Sequence, residues 1–495
     1  MTRLYFVIVL ARLFNVVSEK PMCTSLIVGK NATVTNVTLI ARNEDCQRSN
    51  WNKSLVFRHQ PEYVLNKKTA VKGDLWTLGN GLTVNVPTNA FCYSAMPDAC
   101  SYEEASSTVG DRFFFEERGI NQHNVAISAT NSMHYNPQAK AVDPLLETGG
   151  IAESIIPTLL LPQMLSAVHG VELLGSYVSA YGASEANGVL FSDCDESWYF
   201  EIGSGHQWIA VRVPQDQYLV VTNSLRVHGV NLNDHDNVRC SAGLFDFVIE
   251  HGLLEEPDSE HFDFAKAFGD LGNPYNVNRL WLAQKLLSPS QEQPTGLSQY
   301  PLFMTPDTPI AVNDAMTLLR ATYAGTVLEG KADRTIGWLK TAESHIITLD
   351  ADMPDPLRGV IWQAVSTTLC TPYIPLWSSM REIPDVYTLG SNQYGTQSAY
   401  WAFRGLYALA KDHGTKALTE AQTFWREYTA SLINEHSFVR DTIAAMYRHS
   451  PETATTFAGR YSYGVAQHAV SKAHEARNRL MTAITIEDDK PGNGL

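Results

Sequence analysis

The chain has 495 residues, of which 44% are hydrophobic and 18% charged, a balance that folds into large cores and excludes a long disordered arm. Lys and Arg number 37 against 52 Asp and Glu, a net charge of −15, and no basic run is interleaved with aromatics, so nucleic acid is not an expected partner. The seven cysteines, at positions 23, 46, 92, 100, 194, 240 and 370, show neither CxxC spacing nor a Cys/His cluster, so no metal site and no cofactor is implied.

In chain order, "MTRLYFVIVLARLFNVVSEK" has a positive start and an apolar centre interrupted by Arg12 and too short to span a bilayer. Residues 1–22 therefore read as a signal peptide, a propeptide or both, with translation from Met22 as the alternative. The sequons at Asn31, Asn36 and Asn52 point to the secretory pathway and to glycosylation; a start at Met22 would point to the cytoplasm. Beyond this region no run of eighteen apolar residues occurs, so no membrane span is expected in the mature chain. Cys92 and Cys100 are close enough for a loop disulfide, with free thiols equally compatible.

The first half carries short β-type runs, among them "TSLIVG", "VTLIAR", "NVAISAT", "GVLFSD", "SWYFEIG", "WIAVRV" and "YLVVTN", bounded by Gly, Asn and Asp. The last third changes period: "ALTEAQTFWREYTASLINEHSFVRDTIAAMYRH" and "AVSKAHEARNRLMTAI" place apolar residues three and four apart, as packed helices do. Strands early, helices late and no regular βα alternation predict an α+β sandwich. No linker, repeat or low-complexity block divides residues 23–485, so one large domain is expected, with 486–495 as a loose tail. Homo-oligomerisation is compatible with the sequence but not specified by it.

Cys23 raises the functional question, because it stands at the lip of the first strand rather than inside it, where a thiol would be reachable. If "TSLIVG" runs out, turns at "KNATVT" and returns as "NVTLIAR", pairing Gly29 with Asn36 puts Cys23 opposite Arg42. The returning strand continues Asn43-Glu44-Asp45, delivering a guanidinium and a carboxylate to the same sheet end as the thiol.

Met22-Cys23-Thr24 followed by Arg42-Asn43-Glu44-Asp45 resembles the start of the N-terminal-nucleophile hydrolases, and most closely the peptidase C69 dipeptidases, to which the secernins belong. The segments "GINQHNVAISAT", "GIAESIIPTLLLPQ", "VHGVELLGSYVSAYG", "NRLWLAQKLLSP" and "GVIWQAVSTTLCTPYIPLW" are similar to that family as well, so the resemblance runs from Cys23 past Trp401. It implies an αββα sandwich, two antiparallel sheets between helical layers. It also implies a cysteine-type dipeptidase acting on small peptides. Alternatives within the same resemblance are an N-acyl amide hydrolase of the choloylglycine or penicillin acylase kind, and a secernin-like trafficking or binding protein.

The chemistry suits these residues. Freed of residues 1–22, Cys23 carries a thiol and an α-amine, and an α-amine titrates at about 7.7–8.0, so one residue supplies both nucleophile and base. Arg42 would favour the thiolate, and Asp45 would orient the α-amine. For the oxyanion, Asn131 in "ISATNS" ends a strand that resembles the family's oxyanion-side strand, with its backbone N–H as the alternative donor to its side chain, Asn223 in "LVVTNS" resembles the family's strand-terminal Asn, and Arg279 resembles its second active-site arginine. His206 and His169 are expected to be structural, and "SDCDES", from Ser192 to Ser197, a solvated turn.

Overall fold

The computed structural model describes residues 23–46, 49–58, 70–72, 75–78, 80–87, 90–97, 116–130 and 133–488. The Cys100 half of the expected disulfide, residues 1–22 and Asn131 lie outside the described residues.

Two antiparallel sheets face each other. The strands, in chain order, are β1 (Thr24–Val28), β2 (Thr38–Asp45), β3 (Val56–Arg58), β4 (Ala70–Lys72), β5 (Leu75–Thr77), β6 (Thr83–Asn85), β7 (Tyr93–Pro97), β8 (Glu116–Asn121), β9 (Ala126–Thr130) and β10 (Gly188–Ser192). They continue as β11 (Ser197–Ile202), β12 (Trp208–Arg212), β13 (Tyr218–Val221), β14 (Val238–Cys240), β15 (Thr341–Leu349), β16 (Gly359–Val365) and β17 (Ile374–Trp377). One sheet runs β13-β1-β2-β15-β16-β17 and the other β14-β12-β11-β10-β9-β8-β7-β3, with β4-β5-β6 forming a small third sheet. Because both faces of the two large sheets are covered, their strands read as almost continuous buried runs; every residue of β2 is buried.

Helices close the outer faces. The helix Ala167–Tyr181, capped by the Ser166 hydroxyl, lays Val171, Leu174 and Val178 over Val189, Phe191 and Phe200 of the eight-stranded sheet. It can lie that close because Gly175 has no Cβ; one would collide with the ring of Trp208. The six-stranded sheet is covered by Pro274–Leu287, Val312–Leu319, Ala399–Asp412, Thr415–Tyr447 and Pro451–Asp488. The expected sandwich of two antiparallel sheets between helical layers is therefore the architecture observed.

Three expectations need correction. Strands are not confined to the first half: β15 to β17 arrive after several helices and complete the sheet that carries β1 and β2. The last helix runs to Asp488, past the expected tail boundary, with neither Gly nor Pro at 486–490, ahead of Pro491, to stop it. Among the sequons, Asn52 is not at the surface position a sequon implies, being only 9% exposed with its Oδ1 accepting a 2.7 Å hydrogen bond from Ser398; Asn31 and Asn36 are exposed. His206 Nδ1 lies 2.9 Å from Asp143 and His169 Nδ1 accepts from the Leu165 N–H, and Ser192–Ser197 do turn, with Asp193 Oδ1 accepting the N–H groups of Asp195 and Glu196, although Ser192, Cys194 and Ser197 are buried and only Asp195 is exposed.

Candidate active site

The first hairpin sets the site. Val28 pairs with Leu39, Ser25 with Arg42 and Thr24 with Asn43, so the register differs by two residues from the one expected. The cause is the connection, where Lys30–Ala32 form a 3-10 turn that takes up extra residues. Side chains alternate with a period of two, so a two-residue shift leaves every side chain on its expected face. Cys23 thus lies one pleat beyond Ser25 on the Arg42 side, and the long arginine covers the difference: Nη2 donates to Cys23 Sγ at 3.0 Å.

Arg42 is 1% exposed and clamped by two carboxylates, Glu117 Oε2 at 2.9 Å from Nη1 and Glu153 Oε1 at 2.8 Å from Nη2. Glu117 comes from the opposite sheet, where Met96 pairs with Arg118 and Pro97 with Glu116, leaving Glu117 as the extra residue of a β-bulge. Glu153 opens the 3-10 turn Glu153–Ile155, and its backbone N–H donates to Glu185. Burial pulls the Arg42 guanidinium down, but Cys23, Glu117, Glu153 and Glu44 more than reverse this and hold it firmly charged. Burial, then the charge of Glu117, pushes the Glu153 carboxyl well above the usual carboxylate range, with Arg42 opposing.

A second arginine grips the other side of Cys23. Arg279, on the helix Pro274–Leu287, is fully buried. Its Nη1 donates to the Cys23 carbonyl at 2.6 Å and to Thr24 Oγ1 at 2.8 Å, and its Nη2 donates to Asn223 Oδ1 at 3.0 Å and Asn276 Oδ1 at 2.9 Å. Burial, with Arg334 nearby, lowers its pKa to about 9, which leaves it charged at neutral pH. Asn223 stands just past the end of β13, the neighbour of β1, so strand pairing delivers it beside Cys23.

Asp45 is also held at an irregularity: it pairs with Thr341 while Glu44 pairs with Glu343, so Ala342 bulges. Thr341 donates to Asp45 Oδ1 and Arg334 to Oδ2, and Arg334 in turn stacks its guanidinium 4.2 Å from the Trp338 ring. Burial pushes the Asp45 carboxyl up, against Arg334, Thr341 and Arg279.

The structure therefore brings together Cys23, Arg42, Asp45, Asn223 and Arg279. Two details differ from expectation. Cys23 is 1% exposed, enclosed between the two arginines rather than open at the sheet's lip. Burial raises its thiol pKa; Arg42 and the backbone N–H of Asp45 pull it down, while the charges of Asp45 and Glu117 push it up, and the net effect is a raised value. Sequence reasoning passed over Glu117, Glu153, Arg334 and Thr341. Glu153 lay within the matched segment "GIAESIIPTLLLPQ", whereas Glu117 acquires its position only through the bulge.

Residues 22–427 match the model of Peptidase family C69. The chain is 32% identical over 407 residues to a protein of Latilactobacillus sakei named probable dipeptidase, covering 80% of this chain and 82% of that one. It is likewise 32% identical over 374 residues to a probable dipeptidase of Salmonella dublin, covering 72% and 81%. Among solved structures, a penicillin V acylase from Agrobacterium tumefaciens matches at 11% identity and a TM-score of 0.35, over 75% of this chain and 92% of that one.

Proposed function

The chain belongs to Peptidase family C69, and from that premise we propose that it is a dipeptidase whose nucleophile is the thiol of Cys23, exposed as the N-terminal residue once residues 1–22 are removed. The observation that carries this reading is the double grip on Cys23: Arg42 at 3.0 Å from its sulfur and Arg279 at 2.6 Å from its carbonyl, both buried. Two buried cations cost several kcal/mol of desolvation each, a cost with no structural return at the end of one short strand.

In the reaction, the Cys23 α-amine takes the thiol proton and the sulfur attacks the scissile carbonyl carbon. The C–N bond breaks, the α-ammonium gives its proton to the leaving amine, and a thioester remains. Water then adds to the thioester, losing a proton to the α-amine, and the carboxylic acid leaves as the thiol is restored. Arg42 lowers the cost of the thiolate, and the low dielectric around it strengthens that effect. With its Oδ1 bound by Arg279, the Asn223 amide presents its NH2 on the other side, as an oxyanion donor. Asp45, fixed by Arg334 and Thr341, orients the α-amine. Before cleavage the Cys23 nitrogen is an amide without basicity, so the precursor is silent.

Relatives named probable dipeptidases support the substrate class. The test is Cys23→Ala, which abolishes hydrolysis of a free dipeptide while the far-UV spectrum stays unchanged; Cys23→Ser retains a trace. Wild-type activity in Cys23→Ala would refute the assignment.

A further inference from the structure

The geometry points to Glu153, with Glu117, as the receptor of the substrate's α-ammonium, and so as the residues that restrict the site to peptides with a free N-terminus. This rests on the dipeptidase reading and adds to it the residues that select the substrate.

The first observation is an imbalance of partners. Arg42 is one cation shared by two buried carboxylates, Glu117 at 2.9 Å and Glu153 at 2.8 Å. Of the four carboxylate oxygens, Oε1 of Glu153 and Oε2 of Glu117 are taken by Arg42, while Oε2 of Glu153 is buried with no hydrogen-bond partner among the described residues. A buried carboxylate oxygen without a donor is a stability cost, and such costs persist where a ligand relieves them. A group with several N–H donors and a positive charge is the complement.

The second observation is reach. Arg42 Nη2 touches both Cys23 Sγ, at 3.0 Å, and Glu153 Oε1, at 2.8 Å, so thiol and carboxylate are no farther apart than these two contacts laid end to end. In a peptide the α-nitrogen lies two bonds from the first carbonyl carbon, about 2.5 Å. With the sulfur roughly 3–3.5 Å from that carbon, the α-nitrogen spans a distance comparable to the gap between thiol and carboxylate, so an ammonium turned toward Glu153 is within its reach. An amide nitrogen deeper in a longer peptide carries no charge to offer, and an acylated amine adds bulk where the carboxylates stand.

The third observation is how Glu117 gets there. It is the extra residue of the β8 bulge, the device by which a strand re-aims one side chain. In a regular strand Glu117 and Arg118 would point to opposite faces; here both reach into the space between the sheets, Glu117 to Arg42 and Arg118 to Gln363. Burial and the charge of Glu117 raise the Glu153 pKa, so its ionised form is disfavoured in the empty site and is favoured by a cation placed beside its oxygens.

The experiment compares a free dipeptide with its des-amino analogue, in which hydrogen replaces the α-amine, on the wild-type enzyme and on Glu153→Gln. The ratio of the two kcat/KM values within one preparation does not depend on the fraction folded. We expect the wild type to favour the free dipeptide by at least about a hundredfold, and Glu153→Gln to reduce that ratio at least tenfold, chiefly through KM of the free dipeptide. Alkylation of Cys23 by iodoacetamide should be undiminished, because removing a nearby negative charge favours the thiolate. An unchanged ratio in Glu153→Gln overturns the assignment while leaving the dipeptidase reading intact. If that variant does not fold, Glu117→Gln carries the same expectation and the same refutation. A wild-type enzyme that cleaves no free dipeptide overturns the dipeptidase reading itself, and this assignment with it.

Discussion

Arg42 Nη2 lies 3.0 Å from the sulfur of Cys23 although its partner across the strand pair is Ser25. The contact exists because the arginine is long and its planar guanidinium is anchored by Glu117 at Nη1 and by Glu153 at the same Nη2 that meets the sulfur. Lysine offers a single point charge and cannot serve a thiol and two carboxylates together. Arg42→Lys is therefore expected to lower kcat/KM for a free dipeptide by about a hundredfold, roughly 2.7 kcal/mol. Since Arg42 pulls the thiol pKa down, the rate of iodoacetamide modification should shift its midpoint to higher pH. An unmoved midpoint would separate Arg42 from the thiol's ionisation.

Asn223 is placed by the pairing of β13 with β1 and oriented by Arg279. Removing an oxyanion donor typically costs about 2.7–4 kcal/mol of transition-state stabilisation. Asn223→Ala should thus reduce kcat by about 10²–10³ with KM little changed. A loss confined to KM would mean that Asn223 binds substrate rather than the developing oxyanion.

Glu153 supplies a pH test. Its folded pKa is raised, by burial first and by Glu117 second, with Cys23 and Glu185 adding and Arg42 opposing. A group raised on folding contributes stability that is fully present below its unfolded pKa, about 4.3, and is lost as pH rises through the folded value. Glu153→Gln lacks that loss. In urea unfolding the variant should match the wild type near pH 4 and exceed it at pH 7 and above, while turning over free dipeptide more poorly. Lower stability of the variant at pH 7 would show that the ionised carboxylate is needed by the fold.

Cys23, Arg42 and Asp45 were legible in the sequence because they lie in two short runs that the first hairpin brings together, and Asn223 and Arg279 through the resemblance of their segments to the family; the structure places all five together. Their exact pairing was not. The hairpin register depended on whether Lys30–Ala32 turn once or pass straight through, and local composition does not decide that. β15 was missed because Glu343, Ser344 and His345 interrupt its apolar run; buried, they satisfy one another and the facing sheet, with His345 bonded to Glu343 at 2.9 Å and to Ser128 at 3.1 Å. Arg334 reaches Asp45 from a loop almost three hundred residues away in sequence. Glu117 owes its place to a bulge, which no period-two pattern announces.

In the proposed reaction Cys23 is both nucleophile and, through its own α-amine, base. The most direct test is the intact mass and N-terminal sequence of the protein species that carries the dipeptidase activity, taken from a separation of processed and unprocessed chains. Activity is expected to follow the species beginning at Cys23 and to be absent from any that retains Met22. Full activity in a chain with Met22 still attached would contradict it, because there the Cys23 nitrogen is an amide and cannot accept the proton.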